Sequence, residues 1–371
     1  MARTFLYQCN VTRDCNLRCS HCYIHSLVKK KSGEITPENI LRILTGIGNH
    51  MDGNGRDHAE IHIIGGEPTM LGLEFFQEMM PQARKILDGR GWTYELIMVS
   101  NLVSSESLEI ARFFDRINTS WEPISRFPKA KLEQKWRDNV HLLKSQGIDV
   151  GCTTAMTKPV LEMGAAAILD RLYYDQGIKQ IHFGFFIPSG DGLTNIDAML
   201  PEFHETSQFL KDACEWYLAR REGDPDLFVN PVESMLAALH TGESVDDIVC
   251  PIIAGSMDID WDGRTATCLE AGGNIDAKFT GNVLETSVTE VANDPGFRRD
   301  VIKASRPNRG CNGCPFYNVC RSGCGVLARH WDPDKDKDCP GFRGFISHMA
   351  ELEAGGLKPK YSAYGGKTVG C

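Results

Sequence analysis

With 371 residues, the chain is long enough for one barrel-sized domain and a smaller second one. Its 42% hydrophobic and 24% charged residues are ordinary for a globular protein, and no apolar stretch reaches the length of a membrane span. The net charge of −9 is scattered, which argues against a nucleic-acid substrate, because phosphate binding needs a clustered basic surface.

Met1-Ala2-Arg3-Thr4 leads straight into a strand-like run with no secretory signal, so a cytoplasmic location is expected. Through about the first 200 residues, strand-like and helix-like runs alternate, the pattern of a parallel α/β fold. The strand candidates are Thr4–Cys9, Glu60–Ile64, Glu95–Ser100, Arg116–Ser120, Asp149–Ala155 and Gln180–Ile187. The basic run Lys29-Lys30-Lys31 reads as a solvated loop, near enough to the first cysteine group to help dock an acidic electron donor. The clearest helix has Thr36 as N-cap, Pro37 at its first position and Ile40, Ile43, Leu44 and Ile47 on one face. Six βα units are too few to close an eight-stranded barrel. The expected fold class is therefore α/β, a partial (β/α)6 TIM-type barrel with its chemistry on loops at the C-terminal strand ends. A long helix is expected over Pro201–Arg221, and beyond about Val249 the chain turns to loops, cysteines and one hairpin. In that hairpin, Met257–Trp261 and Arg264–Cys268 flank Asp262-Gly263 read as a type I′ turn. The expected division is 1–235 for the barrel, 236–345 for the cysteine-rich domain and 346–371 for a flexible Gly- and Lys-rich tail.

Fourteen cysteines in a cytoplasmic chain do not form a disulfide framework, which leaves metal ligation. Cys15, Cys19 and Cys22 directly follow the first strand in Cys15-Asn16-Leu17-Arg18-Cys19-Ser20-His21-Cys22. Three thiolates at this spacing can wrap three irons of a cubane and leave the fourth bare. The alternative is a zinc site one ligand short, or with His21 as fourth ligand, although zinc usually takes paired C-x2-C ligands. The motif resembles that of the radical S-adenosylmethionine (SAM) superfamily. The resemblance implies a [4Fe–4S] cluster whose open iron chelates SAM, reductive cleavage to a 5′-deoxyadenosyl radical, and a flavodoxin or ferredoxin as reductant. Ile64-Gly65-Gly66-Glu67-Pro68 resembles the family's GGE motif, with Gly65 and Gly66 admitting the methionyl amine and Glu67 accepting its hydrogen bonds. By the same similarity Ser120 and Arg126 are candidates for the SAM ribose and carboxylate, His21 for the adenine, and Asn101 for a further contact.

Downstream, Cys250 and Cys268 flank Gly263, followed by Cys311-x2-Cys314-x5-Cys320-x3-Cys324 and Cys339. This resembles the SPASM domain, which carries two auxiliary [4Fe–4S] clusters; a pair of zinc ribbons is the alternative reading. The resemblance assigns Cys311, Cys314, Cys320 and Cys339 to a distal cluster. It leaves Cys250, Cys268 and Cys324 for a nearer one with no fourth cysteine. Cys9, Cys152, Cys214 and Cys371 read as packed thiols.

Cys19–Leu27 and Gly65–Met79 read much like anaerobic sulfatase-maturating enzymes, which oxidise Ser or Cys to formylglycine. Where those enzymes carry a catalytic aspartate after the hairpin cysteine, this chain has Leu269, with Glu270 one residue on. Glu270 and Asp191, the latter at the end of the sixth strand, are the candidate catalytic residues, although Asp191-Gly192 also suits a turn. Three functions are weighed. The first is oxidation or cross-linking of a ribosomally made precursor peptide, with a separate leader-binding protein or the barrel itself recognising the peptide. The second is oxidation or epimerisation of a sugar-like metabolite. The third is a non-enzymatic metal-binding module. The first is preferred, with formylglycine formation as a special case that Leu269 speaks against.

Overall fold

Side-chain alternation organises a ten-stranded sheet in the computed structural model, which describes residues 4–360 apart from 128, 246, 247, 249 and 269–271. The strands are β1 (Thr4–Thr12), β2 (His58–Gly65), β3 (Thr93–Val99), β4 (Arg116–Ser120), β5 (Val150–Met156), β6 (Gln180–Phe185), β7 (Phe228–Asn230), β8 (Ser256–Ile259), β9 (Arg264–Ala266) and β10 (Gly281–Asn282). Their order is β10-β9-β8-β1-β2-β3-β4-β5-β6-β7. Strands β1 to β7 run parallel, as the open α/β barrel requires. On β2 the outward residues Ala59, Ile61 and Ile63 are fully buried under helices. The helix Pro37–Asn54 supplies Ile40, Ile43, Leu44 and Ile47 to that layer, and Thr36 caps it by accepting from the Asn39 N–H at 3.2 Å. Gly72–Leu87 packs beside it with Phe75, Phe76, Met79 and Met80.

The inward face is polar. Register places Glu60 beside Glu95, and His62 two residues along β2 from Glu60. Arg116 is 1% exposed, with its guanidinium 3.2 Å from Glu95 and 3.6 Å from Glu60, so the cation offsets the two carboxylates on the barrel floor.

Several expectations change. A seventh parallel strand, β7, extends the sheet beyond β6; three residues are too few to display a period. The hairpin does not stand apart from the barrel, because β8 pairs in parallel with β1 and continues its sheet. Its turn is not type I′. The Asp260 N–H donates to Arg264 O and the Gly263 N–H to Asp260 O, closing a three-residue loop with only Gly263 at positive φ (84°). The long helix is Phe203–Leu218. Residue 235 falls inside the helix Val232–Thr241, which packs on Arg343–Ala354. Residues 346–354 are therefore helical, with Ile346 and Met349 buried, instead of opening a flexible tail. The remainder of the expected tail, 361–371, lies outside the described residues.

Where β1 ends, Arg13 crosses to the hairpin. It is fully buried, donating to Asp258 at 3.1 Å and to Asp260 at 2.9 Å, and Asn10 also donates to Asp258. Arg13→Met leaves two buried carboxylates without their cation, at an expected cost of about 3–5 kcal/mol. Arg84→Met, at the exposed Arg84–Asp115 pair, should cost under ~1 kcal/mol. Denaturant unfolding of the two variants checks the difference, and equal losses would remove Arg13 as the tie between β1 and the hairpin.

Candidate functional site

At the C-terminal ends of the strands lies a cavity of about 330 Å³. Its lining includes Cys15, Cys19 and Cys22 from the first motif and Cys250, Cys268 and Cys324 from the C-terminal block. His21, Gly65, Gly66, Asn101, Ser120 and Arg126 line it as well, so the structure gathers residues the sequence picked from five separate segments.

The first cysteine loop is held by backbone contacts. The Gly66 N–H donates to Thr12 O and the Glu67 N–H to Asp14 O, both at 2.8 Å. A Cβ at Gly65 would sit 2.0 Å from Thr12 O, and one at Gly66 would sit 2.0 Å from Asp14 O. These glycines are therefore required by the approach of the cysteine loop itself, a reason additional to the one expected from the motif. Asn101 donates through Nδ2 to Asn16 at 2.7 Å, within the same loop. Burial pushes the Cys15 thiol up to about 12 and the Cys19 thiol up to about 11, so thiolate at either position calls for a neighbouring cation.

Glu67 is 1% exposed and does not line the cavity. Its Oε1 accepts from the Thr69 hydroxyl at 2.7 Å, the Thr69 N–H at 3.2 Å and the Ser100 hydroxyl at 2.8 Å. Its Oε2 accepts from the Asn101 N–H at 2.8 Å. The carboxylate thus joins the ends of β2 and β3. Burial raises its pKa, and the Asn101, Thr69 and Ser100 donors oppose that rise.

Arg126 is no surface ion pair. Its Nε donates to Glu122, which is 1% exposed and also accepts from the Ala155 N–H at 2.9 Å. His21 packs into this network, with Nδ1 2.9 Å from the Ser125 hydroxyl and Nε2 3.5 Å from Glu122. Burial lowers the His21 pKa to about 4, leaving a neutral ring at pH 7. Glu122 escaped the sequence reading; its signal was the i, i+4 spacing to Arg126. His182 escaped it too. It lines the cavity from β6, paired with Asn230 at 2.9 Å, and burial lowers its pKa to about 4. The inward alternation of β6 was the available sign.

A second, smaller cavity is lined by Cys311, Cys314, Cys320 and Cys339, the set assigned to the distal cluster. Cys320 borders both cavities. A Cβ at Gly341 would lie 2.3 Å from the Cys320 sulfur, so that glycine lets the two cysteine loops close on each other. Asp338 accepts from the Cys339 N–H at 2.8 Å and from the Ser207 hydroxyl, tying the loop to the helix Phe203–Leu218. Among the described residues, the one group of three or more His, Cys, Asp or Glu ligand atoms within 4.8 Å of one another is His58, Glu60 and Glu95.

Cys9, Cys152 and Cys214 are buried away from both cavities, with Cys214 against Met349 at 3.5 Å. Cys371, Leu269 and Glu270 lie outside the described residues. Asp191 does not face the cavity: it accepts from the Ser26 N–H at 2.8 Å and pairs with Lys29 at 3.3 Å, fastening the β6 loop to the cysteine loop. Lys29 is 2% exposed and lines the cavity, whereas Lys30 and Lys31 are exposed, so the basic run is not uniformly solvated.

Glu67→Gln replaces an acceptor oxygen with an NH2 group facing donors. A stability loss of about 1–3 kcal/mol is expected in the absence of SAM, measured by denaturant unfolding. An unchanged midpoint would return Glu67 to a role felt only when SAM is present.

The radical SAM superfamily model matches residues 9–163, and an iron–sulfur cluster-binding SPASM domain model matches residues 250–315. A cysteine-type anaerobic sulfatase-maturating enzyme of Clostridium novyi (strain NT) is 21% identical over 361 residues, covering 90% of this chain and 91% of that one. An enzyme of the same description from Clostridium perfringens is 34% identical over 73 residues, 19% of each chain. Among solved structures, anSMEcpe with bound AdoMet superposes with a TM-score of 0.73 at 17% identity, covering 95% of this chain and 98% of that one. Streptococcus suis SuiB bound to precursor peptide SuiA gives 0.64 at 15% identity, covering 91% and 76%. The fold brings cysteines of both matched segments to the lining of one cavity, and the chain carries a radical SAM domain over residues 9–163 and a SPASM iron–sulfur cluster-binding domain over 250–315.

Proposed function

We propose that this chain cleaves SAM at the Cys15, Cys19 and Cys22 site and oxidises or cross-links an apolar side chain of a ribosomally made peptide. The observation that carries the reading is the wall of the shared cavity. The lining carries Phe185, Phe186, Met235, Ile252, Phe342 and Phe345 together with cysteines of both groups. The charged side chains of the lining, Lys29, Glu122 and Arg126, interact with Cys22, Cys19 and His21, on the side of the first motif. Polar groups such as Gln8, Asn118, Thr153 and His182 also line the cavity, but its surface is mainly apolar, which suits an aliphatic or aromatic side chain better than a polyhydroxylated metabolite. Two similar proteins were solved with peptides: anSMEcpe with Kp18Cys peptide and SuiB with SuiA.

When bound, the cluster and SAM supply a 5′-deoxyadenosyl radical for hydrogen abstraction. Cys15, Cys19 and Cys22 hold that cluster. Arg126, oriented by Glu122, is left with guanidinium N–H groups for the SAM carboxylate, and Ser120 offers a hydroxyl to the ribose. Neutral His21 presents an aromatic face without a competing charge. The phenylalanines exclude water from the reacting centre. Cys250, Cys268 and Cys324 would hold a nearer auxiliary cluster and Cys311, Cys314, Cys320 and Cys339 a distal one, groups that would supply electron acceptance beside the substrate.

Anaerobically reconstituted protein should carry about twelve irons. Replacing Cys15, Cys19 and Cys22 by Ala should leave about eight and abolish SAM cleavage. Zinc at the C-terminal cysteines would overturn the auxiliary-cluster assignment.

Anaerobic incubation with SAM, dithionite and a panel of short peptides differing in one Leu, Ile, Phe or Tyr should raise 5′-deoxyadenosine formation above the uncoupled rate. A peptide should lose two hydrogens by mass spectrometry. Cys324→Ala should still release 5′-deoxyadenosine yet lose the product. A response to sugars and to no peptide would sink the reading, and formylglycine from a sulfatase-motif peptide would narrow it to that special case.

A further inference from the structure

Beside the first cysteine group the fold buries a lysine that the proposed chemistry has not yet used. Lys29 lies on the short helix Ser26–Lys31. Its side chain is 1% exposed and its ammonium lies 3.3 Å from Asp191 Oδ2. The same residue lines the cavity with Cys19 and Cys22, and its charge is felt at both sulfurs. Asp191 is held in turn by the Ser26 N–H at 2.8 Å, so helix and carboxylate together fix the lysine that lines the cavity.

An ammonium taken out of water is costly, and a single carboxylate that is 20% exposed only partly offsets it. Lys30 and Lys31, on the same turn, stay in solvent. What distinguishes Lys29 is a sulfur that becomes a thiolate when it ligates iron. Reducing a [4Fe–4S] cluster by one electron adds one negative charge and moves no proton. A nearby buried cation lowers the energy of the reduced state, and an N–H donor to a ligand sulfur acts in the same direction.

We infer that Lys29 is a positioning residue for reduction: its buried ammonium, beside the Cys22 sulfur, raises the reduction potential of the cluster held by Cys15, Cys19 and Cys22, and Asp191 limits the rise. The inference rests on the cluster assignment in the proposed function. The electron comes from a low-potential donor of the flavodoxin or ferredoxin class, which is oxidised by one electron as the cluster gains it.

The test is a redox titration of the reconstituted holoenzyme with dithionite, followed by electron paramagnetic resonance without substrate. The relevant signal is the one absent from the Cys15, Cys19, Cys22→Ala variant; if no signal is lost there, the cluster assignment itself fails. Lys29→Met should cut the reduced-to-oxidised ratio of that cluster about tenfold at fixed potential, equivalent to about 59 mV for one electron. Lys29→Arg should restore most of it. Asp191→Asn should move the potential the opposite way, because it removes the offsetting carboxylate while an amide oxygen can still accept from Ser26. Lys30→Met, which deletes the same formal charge from solvent, should leave the potential in place. An unmoved potential in Lys29→Met, an equal shift in Lys30→Met, or shifts of one sign in Lys29→Met and Asp191→Asn would each overturn the inference. So would weakened SAM binding at unchanged potential, which would make Lys29 a SAM contact. Where Lys29→Met fails to hold iron, the sign of the Asp191→Asn shift decides.

Discussion

One guanidinium sets the distance between the two halves of this site. Arg13 stands two residues before the first cluster cysteine, and its partners Asp258 and Asp260 stand on the hairpin that ends near Cys268. With the side chain fully buried, neither carboxylate can leave without stranding a charge in a low-dielectric interior. An apolar contact could have joined the same segments with comparable strength, yet it would tolerate sliding. Two directed ion pairs and the Asn10 hydrogen bond do not, so β8 meets β1 in one register and the two cysteine groups face each other across a defined gap.

The gap then sorts its chemistry by position. The charged residues of the lining cluster near the first motif, where Glu122, Arg126 and Lys29 are each held by a partner and the neutral His21 packs among them. The rest of the lining is mainly aromatic and aliphatic, and C-terminal cysteines contribute to it. A reactive radical is best handled against such a surface, because apolar walls admit little water. The polar barrel floor below, with Arg116 between Glu60 and Glu95, seals the other end of the sheet interior without adding net positive charge beneath the site.

How much of this was legible depends on how local each signal was. The cysteine spacings, Thr36 as a helix cap and the alternation of six strands are short-range patterns, and a chain read alone displays them. Strand β7 spans three residues and shows no period. The Lys29-Lys30-Lys31 run looked uniformly exposed because nothing in three identical residues says that one of them turns inward. Asp191 looked like a cavity residue because it follows a strand end, but its partners, Ser26 and Lys29, lie more than 160 residues earlier in the chain. Glu122 and His182 offered only weak local cues, an i, i+4 charge pair and an inward strand position.

The sequence by itself determined the two cysteine motifs and the parallel α/β class, because motif spacing and secondary structure follow from patterns along a few consecutive residues. Tertiary structure alone decided that Glu67 braces two strand ends, that one lysine of three is buried beside a cluster cysteine, and that both cysteine groups share one apolar cavity. Those outcomes depend on burial and on partners distant in the chain, and a side chain's electrostatic role is set by the dielectric and the charges the fold places around it.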